Sequence, residues 1–451
     1  MLQLHFKEAL LPGGWSPDVR ISIEHGRIAA IESGVQAEGG DERHAVGLPG
    51  LPNLHSHAFQ RGMAGLTEIR GTSSDSFWTW RDLMYRFVGR MTPDDVMAIT
   101  AQAYVEMLEA GFTRVGEFHY LHHDVSGTPY GNIAELAERI VSSAKETGIG
   151  LTLLPVFYAH AGFGGHAPDS GQRRFINSVD QFSRLMEASR RAVATHEGAL
   201  LGIAPHSLRA VTPDELTAIA PLAGNGPIHI HVAEQVKEVE DCVSWSGLRP
   251  VQWLLQHMPV DRRWCLIHAT HMTDEEAQSM AASGAIAGLC PITEANLGDG
   301  IFNAPVFFGA GGQFGVGSDS NVLIGAADEL RQLEYSQRLT LRARNVLATT
   351  SMASTGRVLF EGALTGGSRA LGVTGGFAPG RPADIVSLDA AHVALAGRSG
   401  DALLDSWVFS GKSLVDCVWT LGRKVVTNGR HHQAEQVARR FRKRLGGLLA
   451  A

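Results

Sequence analysis

The stretch Leu51-Pro52-Asn53-Leu54-His55-Ser56-His57 decides the fold. It is a short apolar run that ends in two histidines spaced two apart. Residues two apart on a β-strand share a face, so both imidazoles project together from the strand end. Neutral imidazole suits zinc, and also iron or nickel. A lone histidine is usually a hydrogen-bonded structural residue. A His-x-His pair closing an apolar strand reads instead as two ligands of one cation.

Working outward, eight short apolar runs can be counted, each ending in polar residues, near His55, Glu117, Tyr158, His206, His231, His268, Cys290 and Asp319. Helical stretches separate most of them. One opens at Thr92 as N-cap, with Pro93 at the first helical position, and runs to Gly111. Its apolar residues Val96, Ile99, Ala103 and Leu108 roughly follow helical spacing. Eight strands alternating with helices predict an α/β fold, a (β/α)8 TIM-like barrel. Catalytic groups in that fold come from the C-terminal ends of several strands.

The chain ends read differently. Val19-Arg20-Ile21-Ser22-Ile23 and Arg27-Ile28-Ala29-Ala30-Ile31 flank a His25-Gly26 turn. Ala383 to Leu388 and Val415 to Leu421 repeat the pattern, and Gly422-Arg423-Lys424 then turns into Val425-Val426. We expect one small β-sandwich domain formed by both termini, residues 1–46 and 376–451, around a catalytic barrel of residues 47–375. Two unrelated β appendages are the alternative. A length of 451 residues fits a large barrel with an appendage, or two to three ordinary domains.

Composition narrows the function classes. A hydrophobic fraction of 44% and a charged fraction of 19% are those of an ordinary globular protein. A net charge of −7 argues against nucleic acid as a partner. Met1 to Leu11 lacks a basic-then-apolar leader, and no run of ~18 apolar residues suggests a membrane span. Cys242, Cys265, Cys290 and Cys417 show no paired spacing and read as reduced, mostly buried thiols of a cytoplasmic protein. The basic run Arg439-Arg440-Phe441-Arg442-Lys443-Arg444 reads as the solvated face of a terminal helix.

The remaining strand ends supply further chemistry. Strand five, Pro227-Ile228-His229-Ile230-His231-Val232-Ala233-Glu234, carries a second His-x-His, so spacing alone leaves the third ligand ambiguous. His231 is preferred because it lies nearest the strand end. His229 then sits one layer lower. Glu234 is close to the cation without being obliged to bind it, which suits a general acid/base. Strand six ends at His268, with His271 beyond it, and strand eight at Asp319 after Gly315-Val316-Gly317-Ser318. Singly, Asp319 reads as a loop cap and His268 as a packed core residue. Together, on one barrel, they read as a site.

This constellation resembles the amidohydrolase superfamily over nearly the whole chain. The resemblance implies His55, His57, His231 and Asp319 as metal ligands. Two-metal members carry a bridging Lys on strand four, where this chain reads Leu201-Gly202-Ile203-Ala204-Pro205-His206-Ser207. One divalent metal per subunit is therefore expected. Zinc is favoured, since three His and one carboxylate leave a position for water, and Fe(II) satisfies the same ligands. The His231-to-Glu234 spacing resembles the deaminase branch. There the Glu shuttles protons, while the strand-six His and the Asp orient the attacking water. The resemblance thus gives Glu234, His268 and Asp319 catalytic roles.

The segment from Pro52 to Glu68 is more specific. With Phe77-Trp78-Thr79-Trp80-Arg81 and Gly116-Glu117-Phe118-His119-Tyr120-Leu121-His122, it resembles the formimidoylglutamate deiminases of histidine degradation. These convert N-formimino-L-glutamate and water to N-formyl-L-glutamate and ammonia. By that resemblance Gln60, Arg81, Tyr120, His206 and Arg209 contact substrate, and a homodimer is expected. A dicarboxylate formamidine calls for Arg, whose planar fork matches a carboxylate. Arg81 is expected in a loop after strand one and Arg209 in the strand-four loop, both facing the mouth. Arg61 should point away. The rival readings are a deaminase of a ring substrate such as guanine, another purine or a triazine, and a non-catalytic scaffold of the same fold.

Overall fold

The histidine pair lies at the end of the first strand of a closed barrel. The computed structural model describes residues 1–70, 77–412 and 414–450. The barrel strands are β5 (Leu51–Ser56), β6 (Phe112–His119), β7 (Gly150–Phe157), the split pair β8 (Leu200–Leu201) and β9 (Ala204–Pro205), β10 (Ile228–Val232), β11 (Trp264–His268), β12 (Ile286–Leu289) and β13 (Gln313–Val316). All their pairings are parallel. Single bridges close the two seams: Ser56 with Asp319 on one side, Ile203 with Ile228 and Ser207 with His231 on the other. The eight-run reading is thus a (β/α)8 barrel. Strand four is short because Gly202 and Pro205 interrupt it; proline has no N–H for a ladder.

Local signals place the first long helix as expected. Thr92 accepts a hydrogen bond from the Asp95 N–H, and the Asp95 carboxylate accepts one from the Thr92 N–H at 2.9 Å. This reciprocal cap contributes about 1 kcal/mol. The helix Pro93–Glu109 buries Val96, Ile99, Ala103 and Leu108 against the barrel. It stops at Glu109, just short of Gly111, which turns the chain at φ 94.

Both termini build one sheet. Its order is β17 (Arg430–His431), β16 (Arg423–Thr427), β15 (Val415–Thr420), β14 (Ile385–Leu388), β4 (Glu42–Pro49), β1 (Leu2–Leu11), β2 (Gly14–Glu24) and β3 (Arg27–Glu32). The two halves join where β14 runs antiparallel to β4, pairing Ile385 with Pro49 and Leu388 with Val46. Two unrelated appendages are therefore excluded. The sheet also folds over on itself. The Ile28 N–H reaches the Arg381 carbonyl and the Ala383 N–H reaches the Gly26 carbonyl, both at 2.9 Å, although β3 is the far edge from β14. The sandwich encloses Phe6, Val19, Ile21, Ile385 and Trp419. Strands β1 and β4 are further members of this sheet beyond the runs named from sequence.

Two helices within 376–451 pack on the barrel rather than the sheet. Trp407 of Asp401–Phe409 meets Phe360 with ring centroids 5.8 Å apart. Val437 of Ala434–Ala450 packs with Ala101 and Val105. The basic run lies on this last helix with Arg439, Arg442 and Lys443 exposed. Arg440 and Arg444 reach Glu146 and Asp94 on barrel helices; such surface pairs contribute about 0–1 kcal/mol each. All four cysteines are free and buried. Among the described residues no helix is long and apolar enough to cross a membrane.

One glycine seats the histidine strand. A Cβ at Gly317 would lie 2.7 Å from the His55 carbonyl oxygen and 2.9 Å from the His55 Cβ. Gly317→Ala is expected to displace the end of β5, lowering stability by about 1–3 kcal/mol. Thermal unfolding together with metal titration would check this; unchanged values of both would refute it.

Candidate active site

Four side chains converge at the C-terminal end of the barrel. Asp319 Oδ1 lies 3.4 Å from His55 Nε2 and 3.3 Å from His57 Nε2. His231 Nε2 lies 3.1 Å from His55 Nε2. The donor atoms of all four residues fall within 4.8 Å of one another. Outer hydrogen bonds fix two of the rings: His57 Nδ1 donates to the Phe118 carbonyl at 2.9 Å and His231 Nδ1 to the His206 carbonyl at 3.0 Å. Each Nε2 lone pair then faces inward, the usual outer arrangement around a bound metal. Burial pushes His55 down to about 3 and lowers His57 and His231, so all three are neutral. Asp319 is held well below the usual carboxylate range, because the neighbouring imidazoles outweigh its burial.

The inward lone pairs of His57 and His231 beside one carboxylate repel unless a cation sits among them. The donor set therefore fits a single divalent ion. His229 resolves the strand-five ambiguity: its Nε2 bonds the Ala370 carbonyl at 2.7 Å, deeper in the barrel. His57→Ala should lose bound metal by elemental analysis while far-ultraviolet circular dichroism stays unchanged. Full metal occupancy in that variant would remove His57 from the ligand set.

Glu234 and His268 stand beside this cluster. His268 Nδ1 donates to Glu294 Oε1 at 3.2 Å, while its Nε2 lies 3.7 Å from Glu234 Oε1 and 3.7 Å from Asp319 Oδ2. Burial opposes charge on His268, yet Glu234, Glu294 and Asp319 together lift it to about 10. Burial raises Glu234 to about 7 against the opposing pull of His268 and Arg209. The backbone here is strained: Ala233, His268, Ala269, Asp319 and Asn321 all take positive φ, between 44 and 65. Such residues cost of order 1–3 kcal/mol each and cluster where a site must be held in place.

Above the cluster is a pocket that opens to solvent. It is lined by His57, Gln60, Arg81, Tyr120, His206, Arg209, His231, Glu234, His268 and Asp319, so it gathers every residue named from sequence except His55, which lies fully buried beneath. Arg61 points away, as expected, onto Glu106 at 2.8 Å. Arg81 is not in a loop. It belongs to the helix Phe77–Val88, set by the buried Met84, Phe87 and Val88. Its guanidinium stacks on Trp78 and Tyr85, 4.7 and 5.4 Å from the ring centroids. Gln60 donates to the Tyr120 hydroxyl at 2.8 Å. Four buried polar atoms at the pocket have no hydrogen-bond partner among the described residues: Gln60 Oε1, Arg81 Nε, Arg209 Nε and His268 Nε2. Buried polar groups are normally paired, so these mark where a polar ligand belongs.

The sequence reading misses several wall residues, among them Trp80, Tyr85, Phe175 and Ser320. Tyr158 is recognised only as a strand end, yet it lines the pocket and accepts a 2.8 Å hydrogen bond from Gln172. Glu294 is missed because it follows strand seven on its own short helix, Pro291–Leu297, with no motif around it.

A closed (β/α)8 barrel with three histidines and an aspartate at its C-terminal mouth defines a metal-dependent hydrolase. Comparison with known proteins carries this further. The Amidohydrolase family matches residues 46–425, and the family described as Formimidoylglutamate deiminase HutF, N-terminal domain, matches residues 1–45. A formimidoylglutamate deiminase of Pseudomonas aeruginosa is 51% identical, with 100% of each chain covered. A crystal structure of an amidohydrolase from Brucella melitensis superposes with a TM-score of 0.97 at 60% identity, covering 100% of each chain. An adenosine deaminase from Xanthomonas campestris, solved with bound zinc, shares the fold at a TM-score of 0.81 and 19% identity, covering 100% of this chain and 99% of its own. The chain belongs to the amidohydrolase family and, within it, to the formimidoylglutamate deiminases.

Proposed function

We propose that this protein hydrolyses N-formimino-L-glutamate to N-formyl-L-glutamate and ammonia, a step of histidine degradation. The observation that carries the reading is that Arg81 and Arg209 both line the pocket with Glu234 and His268, each with a guanidinium Nε that has no hydrogen-bond partner among the described residues. Two cationic forks match two carboxylates. A ring substrate could stack on the aromatic wall of Trp80, Tyr85 and Phe175, but it would offer the two guanidinium groups no carboxylate. The intact ligand set His55, His57, His231 and Asp319 argues against a non-catalytic scaffold.

Bound among those four residues, a divalent ion supplies Lewis acidity that activates water near neutral pH. Zinc fits three imidazoles and one carboxylate best, and Fe(II) satisfies the same donors. The protein residues then act in sequence. Arg81 and Arg209 hold the carboxylates, with Gln60, Tyr120 and His206 closing the pocket wall. This fixes the formamidine carbon beside Glu234. His268 Nε2 and Asp319 orient the attacking water. A Glu234 carboxylate oxygen takes the water proton as the new C–O bond forms. It delivers that proton to the terminal nitrogen, then carries the hydroxyl proton of the tetrahedral intermediate to the same nitrogen as the C=O bond forms, the C–N bond breaks, and ammonia leaves. A group poised near neutrality suits both halves of this transfer, and burial gives Glu234 that position.

Buried free thiols accord with a reducing cytoplasm, where we place the enzyme as a homodimer. The test is ammonia release from N-formimino-L-glutamate, with N-formyl-L-glutamate identified as the other product. Good turnover of guanine or a triazine, with none of the formimino substrate, would overturn the reading.

A further inference from the structure

Glu238 is fully buried on the first turn of the helix Val236–Ser246. It is neither one of the four converging donors nor a residue that lines the pocket. Both of its carboxylate oxygens are used. Oε1 accepts the Ala233 N–H at 3.2 Å and Oε2 accepts the Glu234 N–H at 3.2 Å. Oε2 also lies 3.9 Å from Arg209 Nη2, which is itself 3.7 Å from Glu234 Oε2. A glutamate at this helix position ordinarily reaches back to the N-cap N–H. Here it reaches one and two residues further, into the turn where Ala233 holds φ 52.

We propose that Glu238 is a positioning residue shared by the proton shuttle and the carboxylate clamp. One oxygen fixes the turn that aims Glu234, and the other fixes that same turn while anchoring the guanidinium of Arg209. A neutral filler could satisfy one backbone donor, but it could not accept from both and attract the cation. Substrate binding and proton transfer are thereby held in one frame. This rests on the reading of Glu234 as shuttle and Arg209 as clamp.

The two tasks separate kinetically. Glu238→Gln keeps the side-chain volume but presents an amide N–H₂ to one of its present partners. On the dicarboxylate formamidine its kcat should fall about tenfold to a hundredfold, and its KM should rise by a similar factor, each the scale of one lost charge-assisted hydrogen bond. On an N-alkylformamidine that lacks both carboxylates the kcat loss should persist without the additional KM rise. Glu238→Asp keeps the charge but draws it back by one methylene; it should lose kcat on both substrates and retain more of the dicarboxylate affinity than the Gln variant. In an Arg209→Ala background, Glu238→Gln should lose its KM effect and keep its kcat effect. Metal content should stay at wild-type level throughout.

Wild-type kinetics in both variants would overturn the proposal. So would losses that track only the folded fraction measured by thermal unfolding, or a KM effect that persists in the Arg209→Ala background. Failure of the underlying reading looks different: wild-type enzyme would not turn over the formimino substrate, or Glu234→Gln would leave kcat intact.

Discussion

Glu234→Gln is expected to retain its metal and to lose about a thousandfold in kcat, within the range of about 10²–10⁴ that a positioned acid–base group contributes. That loss corresponds to about 4 kcal/mol of barrier. The amide matches the carboxylate in shape, so the pocket should stay intact. What it cannot do is take a proton from water and return it to nitrogen. Metal retention follows because Glu234 is not one of the four converging donors, His55, His57, His231 and Asp319. Its nearest charged neighbours are Arg209 at 3.7 Å and His268 at 3.7 Å. Arg209 keeps Glu238 as a second partner, so the substitution does not leave the guanidinium isolated. Steady-state kinetics on N-formimino-L-glutamate, with elemental analysis of the same preparation, read both quantities. Activity within a few-fold of wild type would remove Glu234 from the shuttle role. Loss of metal would instead make it part of the ion's support.

Much of this site is legible in the sequence because a barrel turns strand ends into a shared mouth. His55, His57, His231, His268 and Asp319 each close an apolar run, and period-two geometry aims them. The end of the helix that opens at Thr92 is equally local, a capping signal at one end and a glycine at the other. Arg81 is different. Phe77-Trp78-Thr79-Trp80 is rich in aromatics, which favour strands by propensity, and the helix appears only because Met84, Phe87 and Val88 bury together. Strand β1 is legible only in its first half: Leu2 to Lys7 alternates apolar and polar, whereas Ala9-Leu10-Leu11 does not, and pairing with β2 and β4 on either side carries the strand to its end. Glu238 and Glu294 lie deepest from a sequence reading. Each is an ordinary acidic residue on a helix: Glu238 reaches back four residues to the Glu234 N–H in place of the usual N-cap contact, and tertiary packing alone puts Glu294 behind His268.

Arg209→Ala is expected to lower kcat/KM for the dicarboxylate by about 10²–10³, the worth of a buried, charge-assisted fork on a carboxylate. For a formamidine with a neutral alkyl group in place of the dicarboxylate the loss should be no more than about tenfold, a difference that only a carboxylate contact explains. Some loss on the neutral substrate is expected, because Arg209 also faces Glu234 at 3.7 Å and Glu238 at 3.9 Å. Removing it leaves two buried carboxylates close together without their cation and raises the affinity of Glu234 for a proton. That effect acts on the shuttle and is blind to the substrate's charge. The carboxylate-specific part is the ratio of the two losses, which cancels any common effect on folding or on Glu234. Arg209→Lys sharpens the test, since a point charge restores attraction without the planar fork. It should recover part of the dicarboxylate activity and leave the neutral substrate at the Ala level or better. Equal losses on the two substrates would sink the clamp and, with it, the assignment of a dicarboxylate to this pocket, leaving Arg209 as a partner of Glu234 alone.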